Sequence, residues 1–310
     1  MLTVPVSKKI APEMVVIDDT HNGWRHLIIP IAHSDELVRE AVLSASAFHF
    51  SANIKAQVFD ANTIYAKVIR SLRQRQNLDA CDMTERQNVL LALLVLLVTV
   101  MVNGSSDFPT IFQLLESAVL AVGGEDALTR DELGVFLVRQ IRKFRGYAAP
   151  FLSQERGVAR LRLTASSKQA ATEGWDCFKS YYSIYPQHAR QLSLIYELNQ
   201  QACDIYVRRA SIGPDPTASI EAVNRFIQTL EMLPHGSPGE HILVFSIFLV
   251  ALESTLPEHR EHLANTLLRH RGRNGFANIT AALEYVRARW SGNTTQDWTE
   301  SLAMTKVFIV

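Results

Sequence analysis

The sequence has little cysteine and no excess of either charge. Only three cysteines occur in 310 residues, Cys81, Cys177 and Cys203, and they are far apart. Three scattered thiols cannot build a disulfide framework or a cysteine-rich zinc site, so a reducing intracellular compartment is expected. Basic and acidic residues number 31 each, which gives a formal net charge of zero. Binding to DNA phosphates needs a concentrated excess of positive charge, so direct DNA binding by this chain is not expected.

The chain also lacks an apolar run of membrane-spanning length. The longest run, Val89 to Val102, has fourteen residues and is interrupted by Thr99. A transmembrane helix needs about 20 apolar residues, and a run of 10–14 is more often a buried core helix. No apolar run of secretory length follows the first residues, so a signal peptide is not expected either. The sequence therefore predicts no membrane span.

The usual motifs of catalysis and cofactor binding are missing. There is no phosphate-binding loop, no dinucleotide-binding glycine pattern, no serine nucleophile elbow and no His-Glu-x-x-His zinc motif. His259 and His262 could place two imidazoles on one helical face, but they lie in a strongly polar segment directly after Pro257. Acidic and polar residues there are typical of a solvated first helical turn. We therefore predict no metal and no cofactor.

What the sequence does contain is helical periodicity along its whole length. Ser34 is placed to cap a helix that runs to about Ser51, and Thr129 with Glu132 forms a candidate capping box. No segment alternates apolar and polar residues between hairpin turns. Two helices are apolar on nearly all sides, Val89–Val102 and Ile242–Leu256, as is typical of central helices. The prediction is an all-α fold, a single globular multi-helix domain around these two apolar helices.

Four polar residues inside apolar helices are the candidate site residues. They are His49, Thr99, Ser246 and Glu253. A buried polar group costs free energy unless something satisfies it, and apolar ligand pockets carry a few convergent polar groups. We therefore predict these four as ligand-binding residues. The alternative is structural, since a hydroxyl can bond within its own helix, a histidine can be a satisfied core residue and Glu253 can face water.

Several motifs, in order, resemble one known family. The first motifs are Trp24-Arg25-His26-Leu27-Ile28-Ile29-Pro30 and the segment Leu37–Phe48. The Glu85–Gly104 helix follows them. Near the end come Phe245–Leu256, the Ala282–Trp290 pattern and Phe308-Ile309-Val310. Together they resemble the C-terminal regulatory domain of fungal binuclear zinc cluster transcription factors, which includes sterol sensors. The resemblance spans roughly residues 22–310 and leaves residues 1–21 as an N-terminal extension.

The resemblance implies an all-α regulatory domain with an interior pocket for a hydrophobic small molecule, a sterol in the sterol-sensing members. It also implies transcription regulation, a nuclear or cytoplasmic location in a fungus, and a role in dimerisation. Family members normally carry a six-cysteine zinc cluster, whereas no cysteine precedes Cys81 here. We therefore expect a hydrophobic-ligand-binding regulator without its own DNA-binding module in this chain, either a fragment of a longer regulator or a protein that kept the ligand-binding fold and lost DNA binding.

The missing cluster supports a second hypothesis. The chain would be a stand-alone enzyme recruited from this fold, a pericyclase-type cyclase or isomerase acting on a hydrophobic fungal secondary metabolite. Its catalytic residues would be His49 and Glu253, acting through shape and one or two hydrogen bonds.

Overall fold

The computed structural model describes residues 5–53, 60–75, 78–165, 181–292, 296–305 and 307–310, and these contain helices and no strand. The prediction of an all-α fold is confirmed. In chain order the α-helices are α1 Gly23–His26, α2 Ile28–Ser34, α3 Glu36–Asn53, α4 Ala61–Gln74, α5 Met83–Asn103, α6 Phe108–Ala121, α7 Glu125–Leu128, α8 Glu132–Leu152, α9 Gln154–Ala165, α10 Ala189–Ile212, α11 Pro216–Glu231, α12 Val244–Glu253, α13 Pro257–Asn274, α14 Ala277–Trp290 and α15 Trp298–Leu302. Residues 181–184 are also helical, and short 3-10 or π turns occupy Val6–Ile10, Ala11–Met14, Leu78–Ala80, Pro186–His188 and Glu240–Leu243.

Contacts along the chain group the residues into two units. The N-terminal unit comprises residues 1–142 and 274–278, and the C-terminal unit comprises residues 143–273 and 279–310. Each unit contains one of the two helices that the sequence marked as strongly apolar, α5 in the first and α12 in the second. The boundary at residue 22 stays a prediction.

In the N-terminal unit, α5 is the interior helix. Every residue from Gln87 to Val102 is buried, and α3 and α6 pack against it. Asp82 and Glu85 form a reciprocal capping box at its start, and Gly104 ends it in the left-handed region at φ +66°. By length and composition α5 could cross a membrane. The burial of α5 among the other helices of the unit explains its apolar sequence without a membrane.

In the C-terminal unit, α12 is shorter and all ten of its residues are buried. The long helix α10 packs against α9, α11 and α12, which makes it the scaffold of this unit. Aromatic rings fill the space beside α12: the Phe151 ring stacks on Phe248 at 6.2 Å and meets Phe308 edge-on at 5.9 Å between centroids. Burial of such large rings stabilises a core strongly.

Two of the predicted helix caps are wrong. The start of α3 is capped by Asp35, whose Oδ1 accepts from the Val38 amide at 2.8 Å, while Ser34 ends α2. The start of α8 is capped by Asp131, whose Oδ1 accepts from the Gly134 amide at 2.6 Å, while Thr129 bonds back to Asp126. In both cases an aspartate lies closer to the first helical turn. A carboxylate there also interacts favourably with the helix dipole.

Candidate functional site

A cleft opens in the C-terminal unit where α10 ends, α11 begins and α12 ends. The cleft is open to solvent, and its interior has room for about one water molecule. Gly213, at φ +91°, ends α10, and the Asp215 side chain caps α11 by accepting from the Ala218 amide at 3.1 Å. The chain thus turns sharply and brings polar ends of three helices together. The polar lining residues are Arg208, Arg209, Asp215, Ser219 and Glu253, and the others are Ile205, Gly213, Ala218 and Ala222.

Glu253 is the buried carboxylate of this cleft. Its side chain is only 5% exposed, yet it accepts hydrogen bonds from three elements. The Trp298 indole Nε1 donates to Oε2 at 2.6 Å, Arg209 Nη1 lies 3.5 Å from the same oxygen, and the Ser219 hydroxyl donates to Oε1. A buried carboxylate needs these hydrogen bonds, because the loss of its hydration costs on the order of several kcal/mol.

Arg209 connects Glu253 to the start of α15. Its Nε donates to Asp297 Oδ2 at 2.6 Å, and Asp297 is the N-cap residue of α15. Burial raises the pKa of the Asp297 carboxyl, but hydrogen bonds from Thr299 and Arg209 outweigh it and hold that pKa below its ordinary value. Arg209 and its two carboxylates therefore tie α10, α12 and α15 together by charge-assisted bonds.

Arg208, the next residue along α10, lies at the mouth of the cleft. Its Nη2 donates to Asp215 Oδ2 at 3.1 Å, and the two side chains are 45% and 50% exposed. Exposed ion pairs of this kind contribute about 0–1 kcal/mol. The Arg208–Asp215 pair is therefore weak compared with the buried bonds behind it.

Of the predicted residues, Glu253 lines the cleft, and Ser246 lies about two turns earlier on the same helix, α12. The Ser246 hydroxyl donates to Asn199 Oδ1, and Asn199 Nδ2 donates to the Ile195 carbonyl at 2.9 Å. Both side chains are buried. Ser246 thus joins α12 to α10 inside the core.

The other two predicted residues belong to the N-terminal unit. The Thr99 hydroxyl donates to the Val95 carbonyl at 2.9 Å within α5, which is the structural alternative described above. His49 is buried on α3, and its Nε2 donates to the Asn274 carbonyl at 2.9 Å. Its ring meets Phe276 edge-on at 6.3 Å. Two of the four residues thus lie in each unit, and their roles in ligand binding or catalysis stay predictions.

Four residues of the Glu253 network did not stand out in the sequence as site residues: Arg209, Ser219, Asp297 and Trp298. Arg208 and Arg209 near the end of a helix are expected there for the helix dipole alone. Asp215 and Asp297 are ordinary N-caps in sequence. The one usable signal was Glu253 itself, since a carboxylate in an apolar helix requires donors from elsewhere.

No metal centre emerges from the described part of the chain, where no group of three or more His, Cys, Asp or Glu side chains is placed to hold an ion. His259, one of the two histidines considered for a metal, is buried on α13. Its Nε2 donates to Asn224 Oδ1 at 2.7 Å, and burial lowers the pKa of its imidazole. His259 therefore serves as a hydrogen-bond partner between α13 and α11.

Comparison with known proteins gives one match. The model of the family described as "Fungal specific transcription factor domain" matches residues 7–145 and 160–306. No curated protein and no solved structure matches the chain significantly. The family match covers nearly the whole chain and confirms the resemblance drawn from the motifs.

Proposed function

Because the chain belongs to the fungal-specific transcription factor domain family, we propose that it is a regulatory domain whose output is controlled by a small molecule. The observation that carries this proposal is the extent of the family match, which includes both apolar helices and the residues around Glu253. A ligand acts as a regulator when it binds two packings of a domain with different affinity. The cleft at Glu253 supports such a role, since it lies where three helices and the cap of a fourth are joined by hydrogen bonds.

A hydrophobic ligand is the finer part of this proposal. Its support is the apolar sequence of α5 and α12. The Glu253 cleft is far smaller than the enclosed pockets usual for small-molecule sites, and charged side chains border it. A sterol-sized ligand would therefore need apolar space beyond this cleft.

Regulatory output is tested by fusing the chain to a heterologous DNA-binding domain in a fungal cell. The fusion should change transcription from a reporter with the matching operator, relative to the DNA-binding domain alone. Glu253→Gln keeps the shape of the side chain but removes its charge, so it should alter the output. The matched control is Glu284→Gln, because Glu284 is exposed on α14. Equal output with and without the chain would contradict the proposed function.

Ligand binding is tested separately on the purified chain. Solvent extraction and native mass spectrometry of protein from a fungal host should reveal a bound lipophilic molecule. An empty protein that shows no thermal shift with sterols or other lipophilic metabolites would remove the hydrophobic ligand from the proposal. It would leave the regulatory role untouched.

Location and assembly follow from the proposed role. A transcription regulator acts in the nucleus or moves between nucleus and cytoplasm, which a fluorescent fusion tests. Dimerisation is tested by light scattering at two concentrations, and direct DNA binding by a gel shift. The cyclase hypothesis, with His49 and Glu253 as catalytic residues, stays a prediction.

A further inference from the structure

The last turn of α10 contains two arginines, a serine and an isoleucine in a characteristic order. The sequence there is Arg208-Arg209-Ala210-Ser211-Ile212, and Ser211 is the only serine or threonine in the chain with basic residues at both the second and third positions before it. One class of protein kinases binds an extended substrate peptide through acidic side chains, which pair with arginines at these two positions. Such kinases also accept a large apolar residue directly after the serine, where Ile212 lies. The spacing therefore matches a substrate of this class of kinase.

The serine and the isoleucine are accessible at the surface. Both residues are exposed, Ile212 with 77% of its surface. Gly213, at φ +91°, ends the helix directly after them, and Pro214 follows. The final turn of a helix frays more easily than its interior, and proline cannot continue the helix. The peptide around Ser211 can therefore become extended without unfolding the rest of α10.

The two arginines are held with unequal strength. Arg208 pairs with Asp215 at 3.1 Å, and this pair is weak because both side chains are about half exposed to solvent. Arg209 is only 20% exposed, and it pairs with Asp297 at 2.6 Å and with Glu253 at 3.5 Å. A kinase can therefore bind Arg208 with little rearrangement, but it must draw Arg209 out of the buried Glu253 network. This network should make the folded chain a slow substrate.

A phosphate on Ser211 would lie close to guanidinium groups. Arg162 Nη2, on α9, donates to Ser211 Oγ at 3.2 Å. Arg208 lies three residues before Ser211 and therefore on the same face of α10. The planar N–H forks of two arginines suit phosphate oxygens, and they offset the unfavourable interaction of a negative charge with the C-terminus of a helix. The modified serine would thus connect α9 to the end of α10 and draw Arg208 away from Asp215.

We propose that Ser211 is phosphorylated by a protein kinase that selects arginines before the target serine, and that the Glu253 network limits the rate. In the reaction a bond forms between Ser211 Oγ and the γ-phosphorus of ATP, while the bond from that phosphorus to the oxygen of ADP breaks. The hydroxyl proton passes to the catalytic aspartate of the kinase. The site goes beyond the proposed function, because it gives the chain a covalent input that needs no bound small molecule.

Incubation of the purified chain with ATP and the catalytic subunit of cAMP-dependent protein kinase, a kinase of this class, tests the site. Peptide mass spectrometry should find phosphate on Ser211, and Ser211→Ala should remove it. Arg208→Ala should slow the modification on the order of tenfold or more, since the kinase loses a charge-assisted contact. The matched control is Arg190→Ala, which removes an exposed arginine three positions before another exposed serine of α10, Ser193. In this control Ser211 should be phosphorylated at the native rate.

The effect of the Glu253 network on the rate is tested by loosening the network. Glu253→Gln removes the charge that holds Arg209, so its Ser211 should be phosphorylated severalfold faster than that of the native chain. Ser246→Ala loosens the packing of α12 on α10 about two turns away from Glu253, and it should stay near the native rate. The exposed variant Glu284→Gln should also keep the native rate.

The two parts of the proposal can fail separately. The site is wrong if neither the native chain nor Glu253→Gln takes up phosphate on Ser211, or if Arg208→Ala is phosphorylated as fast as the native chain. The rate limit is wrong if Glu253→Gln is no faster than Glu284→Gln, or if Ser246→Ala is as fast as Glu253→Gln. Both measurements use purified protein without a reporter, so their failure leaves the proposed function standing.

Discussion

The two interior helices satisfy their polar residues in different ways. In α5 the single hydroxyl within the apolar run, that of Thr99, bonds to a carbonyl of its own helix. In α12 the polar residues Ser246 and Glu253 reach side chains of α10, α11 and α15. A hydroxyl can donate to the carbonyl one turn back, whereas a carboxylate only accepts, and amides inside a helix are already used. Glu253 therefore had to recruit donors from other elements.

A polar residue that interrupts an apolar helix does not always indicate a site. A threonine or serine can be purely structural, because the helix itself can supply its hydrogen-bond partner. A carboxylate at the same depth requires a tertiary site around it. Removing each polar group and measuring the loss in stability tests this difference.

Glu253→Leu should produce the largest loss. It leaves the Trp298 N–H and the Ser219 hydroxyl without their acceptor, while Arg209 keeps only Asp297. Each buried donor left unsatisfied costs about 1–3 kcal/mol, so the combined loss should exceed that of any single hydrogen bond. Denaturation with urea, combined with hydrogen exchange of peptides from the C-terminal unit, measures the effect. If the loss is no larger than that of an exposed control such as Glu284→Leu, Glu253 does not depend on donors from other helices.

Ser246→Ala should cost about 1–3 kcal/mol, because Asn199 Oδ1 would stay buried without its donor. The loss should appear as faster amide exchange in α10 and α12. Ser246→Thr, which keeps the hydroxyl, separates the lost hydrogen bond from the change in packing. An unchanged exchange pattern in Ser246→Ala would show that the serine behaves like Thr99.

His270, also in the C-terminal unit, should make stability depend on pH. Burial, together with the nearby charges of Arg273, Arg269, His241 and His235, lowers the pKa of its imidazole to about 3. The neutral form is thus favoured in the folded state, so its contribution is complete above the unfolded pKa near 6.5 and is lost as pH falls towards 3. Between these values the unfolding free energy should fall by about 1 kcal/mol per pH unit.

The matched variants for this pH dependence are His270→Gln and His33→Gln. His33 is exposed on α2, so its removal should leave the slope of stability against pH unchanged. Urea denaturation at about pH 7 and about pH 5 provides the slope. A slope in His270→Gln equal to that of the native chain would contradict the assignment.

Thr99→Val should have the smallest effect, within about 0.5 kcal/mol. The Val95 carbonyl keeps its helical amide partner when the extra hydroxyl is removed, and valine fills nearly the same volume. Amide exchange in α5 should be indistinguishable from that of the native chain. A large loss would mean that Thr99 does more than bond within its helix, and the contrast with Glu253 would disappear.

Much of the fold could be predicted from periodicity. Helical spacing, ended by glycines and prolines, predicts helices at His188–Arg209, Ile242–Leu256, Glu258–His270 and Asn278–Trp290, and these match α10, α12, α13 and α14 to within a few residues. The caps of α3 and α8 were misplaced, because several Ser, Thr and Asp residues stood near each start and sequence does not show which one faces the free amides. The same spacing predicts a helix from Trp175 to Tyr185, most of which lies outside the described residues.

Local spacing was enough to predict that the chain is helical and that α5 and α12 are interior helices, and the cost of burying a carboxylate singled out Glu253. Spacing could not identify the donors to Glu253, because Arg209, Ser219 and Trp298 are 34 to 45 residues away from it along the chain. No periodicity links such distant positions, and they meet only because α10, α11 and α15 pack around the end of α12.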